Sequence, residues 1–189
     1  MIEAVFNKRD VCVVGRRTMD DIMALAEASP RKRARLCMHR GQQDHVHEMV
    51  IALVGGSYVQ PHRHPQPKAE SYHVVRGEMD VFFFDDAGAL ARYVEMGDPA
   101  SGKPFLYRLS SSLWHMPLAR SKSVIYHEVY EGPFVKDVDV AYASWAPPES
   151  DAAAVAKFVA KAYVDAPKLG DMIESPSGAA LRYLGGDDR

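Results

Sequence analysis

Cysteine is nearly missing from this chain. Cys12 and Cys37 are the two among 189 residues, and they form no Cys-x-x-Cys pair. A disulfide framework or a zinc knuckle is thereby excluded as the organising device, and the expected setting is a reducing cytoplasm. Long apolar runs are lacking as well: stretches such as Met49 to Val54 and Val81 to Phe84 fall far short of the roughly 20 residues that a membrane-crossing helix needs. No membrane partner is expected. The first residues carry Glu3, Lys8, Arg9 and Asp10 where a secretion signal would be apolar. Neither charge sign dominates, with 23 Lys and Arg against 25 Asp and Glu, so no nucleic-acid partner is expected. A nucleotide fingerprint is absent, because Gly55-Gly56 opens a histidine-bearing strand rather than a helix.

What is present is the composition of a globular protein, 47% hydrophobic and 25% charged. Residues 18–29 predict a short helix with Thr18 and Asp21 as a capping box, Met19, Ile22, Met23 and Ala26 on one face, and Pro30 as the stop. From Arg33 to about Tyr130 the pattern turns to short β-rich runs separated by Gly, Asp and Pro turns, which predicts an all-β sandwich or barrel. Strands are expected near 33–40, 46–54, 57–61, 70–76, 79–85, 89–95, 104–109, 113–117 and 123–130. Their spacing leaves no room for crossover helices, so the sheets should be antiparallel. Ser150 is read as the N-cap of a second helix, with Val155, Phe158, Val159 and Ala162 on one face, packed outside the β core. The domain reading is an N-terminal arm over 1–17, one domain over 18–165 and a tail over 166–189. Within the arm, Val11-Cys12-Val13-Val14 offers a strand that could add to a neighbour, and a homodimer is expected.

The densest chemical signal lies between Gly56 and Gly77. Residues two apart on a strand share a face, so His62 and His64 present two imidazoles to one cation. Glu70, on the next extended segment, adds a carboxylate. His115, in Leu113-Trp114-His115-Met116-Pro117, is the fourth candidate. Three imidazoles and a carboxylate suit one divalent transition metal, with iron, zinc, manganese and nickel all open, and leave positions for water or substrate. His73 is the alternative fourth ligand, although it points to the face opposite Glu70. A second His-x-His pair, His45 and His47 with His39 nearby, is read as a strand entry whose inner face continues through Met49, Ile51 and Leu53, with His47 lining a pocket.

The stretch from Gly56 to Gly77 is similar to the first motif of the cupin superfamily, and His115 to the histidine of the second. The resemblance sharpens towards the WbuC-type cupin-fold metalloproteins, found among bacterial surface-polysaccharide genes. Ala28-Ser29-Pro30-Arg31-Lys32-Arg33, Tyr58 to Pro67, and Val75-Arg76-Gly77 running on to Phe84-Asp85-Asp86 carry it, with support from Trp114-His115, Glu131-Gly132-Pro133 and Trp145-Ala146-Pro147. It spans roughly residues 20–165. It implies a cupin double-stranded β-helix, a jelly-roll sandwich with short flanking helices, and a metal held by His62, His64, Glu70 and His115.

A basic segment completes the picture. Arg33, Arg35, Cys37 and His39 share one strand face, while Ala34, Leu36 and Met38 share the other. If the first face turns inward, Arg33, Arg35, His39 and His47 face the metal, with Arg63 and Tyr72 as further substrate-binding candidates. A guanidinium fork matches a carboxylate or phosphate. The expected function is metal-dependent isomerisation, epimerisation or dioxygen chemistry on a small sugar-derived or carboxylated, anionic substrate; the alternative is a non-catalytic metal-containing binding module.

Overall fold

The computed structural model describes residues 4–65 and 68–166. Pro67 and all of the expected tail except Ala166 lie outside the described residues. The chain runs β1 (Ala4–Phe6), α1 (Arg16–Ala28), β2 (Arg33–Cys37), β3 (Val46–Val54), β4 (His62–Arg63), β5 (Glu70–Arg76), β6 (Glu78–Phe84), β7 (Leu90–Gly97), β8 (Leu106–Leu109), β9 (Trp114–Ala119), β10 (Ser123–Glu131), α2 (Lys136–Asp139), β11 (Ala141–Tyr142) and α3 (Ala152–Asp165).

Two sheets form. One has the order β1-β2-β3-β10-β5-β8 and the other β11-β4-β9-β6-β7. Stripped of the added edges, β3-β10-β5-β8 faces β4-β9-β6-β7, which is the strand order of an eight-stranded jelly roll. The fold is therefore a mainly β two-sheet sandwich with few helices, as expected from the turn spacing. Among the described residues, every strand pair is antiparallel except β1 with β2, which is parallel.

Alternation sorts the strands into faces. Met49, Ile51, Leu53, Tyr72, Val74, Met79, Val81, Phe83 and Tyr126 point between the sheets and form the central core. The opposite face of the first sheet, with Ala34, Val50, Ala52 and Ile125, is covered by Ile22, Met23 and Ala26 of α1. The opposite face of the second, with Phe82, Phe84, Met116 and Leu118, is covered by α3 through Phe158, Val159 and Ala162. That placement agrees with the expected apolar stripe of the second helix. It also puts Tyr58, Phe82 and Phe84 under α3 rather than between the sheets.

A polar anchor lies beneath α3. Asp80, fully buried, accepts hydrogen bonds from Tyr93 Oη (2.8 Å), Tyr163 Oη (2.7 Å) and Arg120 Nη1 (3.1 Å). The chain switches sheets between β5 and β6 at Gly77, whose φ is 86°; a Cβ there would stand 2.5 Å from the Ser123 carbonyl oxygen, so only glycine fits.

Several local expectations are corrected. The helix α1 begins at Arg16, with Gly15 as N-cap and no side-chain cap. The ladder opens with Met19 N–H donating to Gly15 O, which places Thr18 and Asp21 inside the helix instead of in a capping box. Asp151, not Ser150, caps α3, accepting from the Ala154 N–H. Residues 57–61 form no strand: Pro61 has no N–H for a ladder, and regular pairing starts at His62. Residues 11–14 are not a strand either. The arm's strand is β1, zipped in parallel to β2.

Candidate metal centre and pocket

The metal motif is assembled by strand register. His62 on β4 lies directly opposite His115 on β9, and Glu70 opens β5 with its side chain turned inward, buried to 1%. The ring centroids of His62 and His115 are 4.2 Å apart, and both are 5.7 Å from that of His64. One ligand nitrogen from each of the three lies within 4.8 Å of the others. Glu70 contacts two of the three, with Oε2 at 3.2 Å from His64 Nε2 and Oε1 at 3.1 Å from His115 Nε2. His73 lies on the other face of β5, against Phe105, and is not part of the cluster.

The tautomers follow from hydrogen bonding. The Nδ1 of His62 meets Gln60 O (3.2 Å), that of His64 meets Asp139 O (2.7 Å), and that of His115 meets Leu113 O (3.0 Å). A carbonyl oxygen only accepts, so each Nδ1–H donates and each neutral ring keeps its lone pair on Nε2. In that neutral state the Nε2 atoms of His64 and His115 face the two Glu70 oxygens, acceptor against acceptor, a conflict that a proton on a ring or a cation at the centre relieves. His115 Nε2 and Glu70 Oε1 are buried without a hydrogen-bond partner. A cation at the centre satisfies all of them, and carbonyl-oriented imidazoles are the usual support of metal ligands. The residues present therefore fit a divalent metal.

The electrostatics agree. Burial, helped by the neighbouring His115, pushes His62 down to about 3 and keeps it neutral. Burial opposes the imidazolium of His64, but the Glu70 carboxylate overrides it and holds this group above its ordinary value. Burial likewise works against the charge of Glu70, yet His115 and His64 outweigh it and hold the carboxyl down at about 2. A metal must displace the proton that Glu70 keeps on His64. Its affinity should consequently rise with pH, by up to about tenfold per unit below the His64 pKa. The gain in melting temperature on adding Zn(II) should grow from about pH 5.5 to about pH 8; a gain that is level or shrinks over that interval would contradict this arrangement.

The cluster opens onto a cavity of about 480 Å³ between the sheets, a size ordinary for small-molecule sites. Arg33, Arg35, His39, His47 and Tyr72 all line it, as the inward-face reading required. Their states differ. Arg33 is engaged, donating to Tyr58 O (2.5 Å) and to Glu149 Oε1 (2.7 Å). Rings of His39 and His47 stack at 4.0 Å, so that pair stabilises a wall rather than converging on an ion. His45 is exposed. Arg63 does not line the cavity. It lies between two inward histidines and so points out, pairing with Asp86 at 2.8 Å and covering the Trp114 ring at 4.3 Å.

Three contributors escaped the sequence reading. The short helix α2 brings the Asp139 carbonyl to His64, and its carboxylate is tied to Lys68 at 2.8 Å; nothing local in the sequence links residue 139 to residue 64. Tyr130 packs its ring 4.5 Å from His64. Glu128 lines the cavity, and burial together with Glu70 pushes its carboxyl up to about 8. The last had a signal: Val124, Tyr126, Glu128 and Tyr130 share one parity on β10, and an acid on a core-facing row is uncommon.

Fold and site together define a jelly-roll protein with a histidine-carboxylate centre inside its barrel. Residues 14–96, less than half of the chain, match a family model described as a domain of unknown function, DUF6016. No curated protein matches the chain. Among solved structures, it is similar to an HTH_3 family transcriptional regulator from Vibrio cholerae, at 18% identity and a TM-score of 0.41 over 54% of this chain and 52% of that one. A protein from Shewanella oneidensis gives 14% identity and a TM-score of 0.51, over 65% of this chain and 82% of that one. The cupin domain of Schizosaccharomyces pombe Cnp3 gives 11% and 0.41, over 53% and 64%. The chain thus spans about half the length of the Vibrio protein, and at these identities the likeness concerns the fold alone.

Proposed function

We propose that this protein is a metal-dependent enzyme acting on a small sugar-derived or carboxylated substrate inside the barrel. The observation that carries the reading is the convergence of three carbonyl-oriented Nε2 atoms and the Glu70 carboxylate at the edge of a solvent-connected cavity. A divalent transition metal held by His62, His64, Glu70 and His115 would polarise a substrate carbonyl or hydroxyl oxygen. The chain's own groups supply the rest: Arg35 attracts an anionic substrate, Tyr72 and Tyr126 wall off the core, and the Gln60, Leu113 and Asp139 carbonyls hold the ligand rings in orientation. The sequence resemblance to WbuC-type metalloproteins supports a substrate from surface-polysaccharide metabolism, and a cytoplasmic site of action.

A non-catalytic binding module is the second reading. It is favoured by Glu70, which already contacts two of the three histidines and with them makes a nearly closed donor set. Metal analysis of untagged protein, followed by a screen of sugar derivatives and sugar acids with that metal restored, tests the two: turnover that depends on the metal supports the enzyme, and binding without turnover across the screen supports the module. A homodimer is part of the proposal. The strand β1 sits at a sheet edge with Val5 and Phe6 exposed, and such edges are commonly covered. Light scattering at tens of micromolar should return twice the chain mass of 21.0 kDa; a monomer mass removes this component.

A further inference from the structure

The cavity floor is a grid laid out by register. Arg35 on β2 lies opposite Ile51, which lies opposite Tyr126. One step along, Cys37, Met49, Glu128 and Tyr72 form the next row, and another step brings His47, Tyr130 and Glu70. Glu128 therefore stands diagonally between Arg35, two strands away or roughly 10 Å, and Glu70 of the metal cluster, one strand away. Both Arg35 and Glu128 line the cavity and neither is fully buried.

Their partners set them apart from the other charged groups there. Arg31 and Arg33 are paired with Glu149, and Lys136 is exposed on α2. Arg35 has no carboxylate within ion-pair distance among the described residues, and Glu128 has no cation within that distance. Apart from its contact with the Cys37 thiol, the Arg35 guanidinium is open to the cavity and suits one carboxylate or phosphate. A carboxyl group suits a hydroxyl in either protonation state, accepting from it when ionised and donating to it when neutral. A second anion placed there would meet the Glu128 carboxyl instead of a cation.

We infer that the cavity takes a small hydroxy acid with a single anionic group, its anion on Arg35 and a hydroxyl on Glu128. This rests on the proposed metal-dependent reading and narrows its substrate class: polyols lack the anion, and dicarboxylates place a charge where the grid offers a carboxyl. The cavity volume of about 480 Å³ has room for a six-carbon acid.

Calorimetric titration of metal-loaded protein with D-gluconate, sorbitol and succinate tests it. Gluconate should bind at least tenfold more tightly than either of the others. Arg35→Gln should bring gluconate down to the level of sorbitol and leave sorbitol unchanged. Glu128→Leu should weaken gluconate and sorbitol about tenfold each without weakening succinate, while Glu128→Gln, which still pairs with a hydroxyl, should recover most of that loss. Metal content, read on the same samples, should be unchanged in all three variants. The advantage of gluconate over sorbitol, and its loss in Arg35→Gln, should persist in protein stripped of metal, so failure of the metal reading is seen separately from failure of this one. No gluconate binding at 10-millimolar order, succinate binding as tightly as gluconate, an Arg35→Gln variant indistinguishable from wild type, or loss of metal from the Arg35 or Glu128 variants would each overturn the inference.

Discussion

His62→Ala and His64→Ala proteins are expected to purify with less than about a tenth of the metal carried by the wild type, which should hold about one divalent ion per chain by elemental analysis. Each substitution removes one of three Nε2 donors that nothing nearby can replace. His73 faces away, and His39 and His47 are stacked on each other, with His47 two strands from Glu70 across Tyr130. Loss of a supporting hydrogen bond alone costs a metal site tenfold or more, and loss of a ligand costs more than that. The fold should survive, because the two rings lie beside the cavity rather than in the layer of Met79, Val81 and Phe83 that joins the sheets. His73→Ala is the matched control and should keep its metal. Full metal retention in both the His62 and His64 variants would remove the site.

Asp80→Ala should lower the unfolding free energy by about 3 kcal/mol, the range for removing one member of a buried charged network. The carboxylate is fully buried and gathers three donors from three elements: Tyr93 on β7, Tyr163 on α3 and Arg120 in the turn after β9. Its removal takes the partner from the Tyr163 hydroxyl and loosens α3 from the second sheet, while Tyr93 keeps Glu95 Oε1 at 3.1 Å and Arg120 Nη1 at 2.8 Å. Arg120 does not lose all compensation, since its Nη2 also meets Glu95 at 2.9 Å, which argues against the upper end of that range. Tyr163→Phe removes one donor and should cost about 1 kcal/mol. Urea denaturation monitored by circular dichroism measures both. An Asp80→Ala protein within about 0.5 kcal/mol of the wild type would show that the network adds nothing.

Local pattern was enough for much of this protein. Alternation of apolar residues placed β3, β5, β6 and β10 within a residue or two of their observed ends, because period-2 burial leaves a mark in any strand that has one face in a core. The same parity put Arg33, Arg35, His39 and His47 on the cavity side and His62 and His64 on a common face. It could not show that Arg33 is occupied by Glu149, 116 positions away. Nor could it show that the strand expected over 57–61 would be missing, with regular pairing starting only at His62–Arg63 after Pro61.

Tertiary structure alone decided how the site is completed. Opposition of His62 and His115 is a register between strands 53 residues apart, and the carbonyl that orients His64 arrives from α2, 75 residues on. Glu128 becomes part of the pocket only because β10 is the central strand between β3 and β5. Sequence determines which face a side chain takes, since that depends on neighbours two residues away. Which faces meet depends on sheet order and register, and these are set by packing of the whole core.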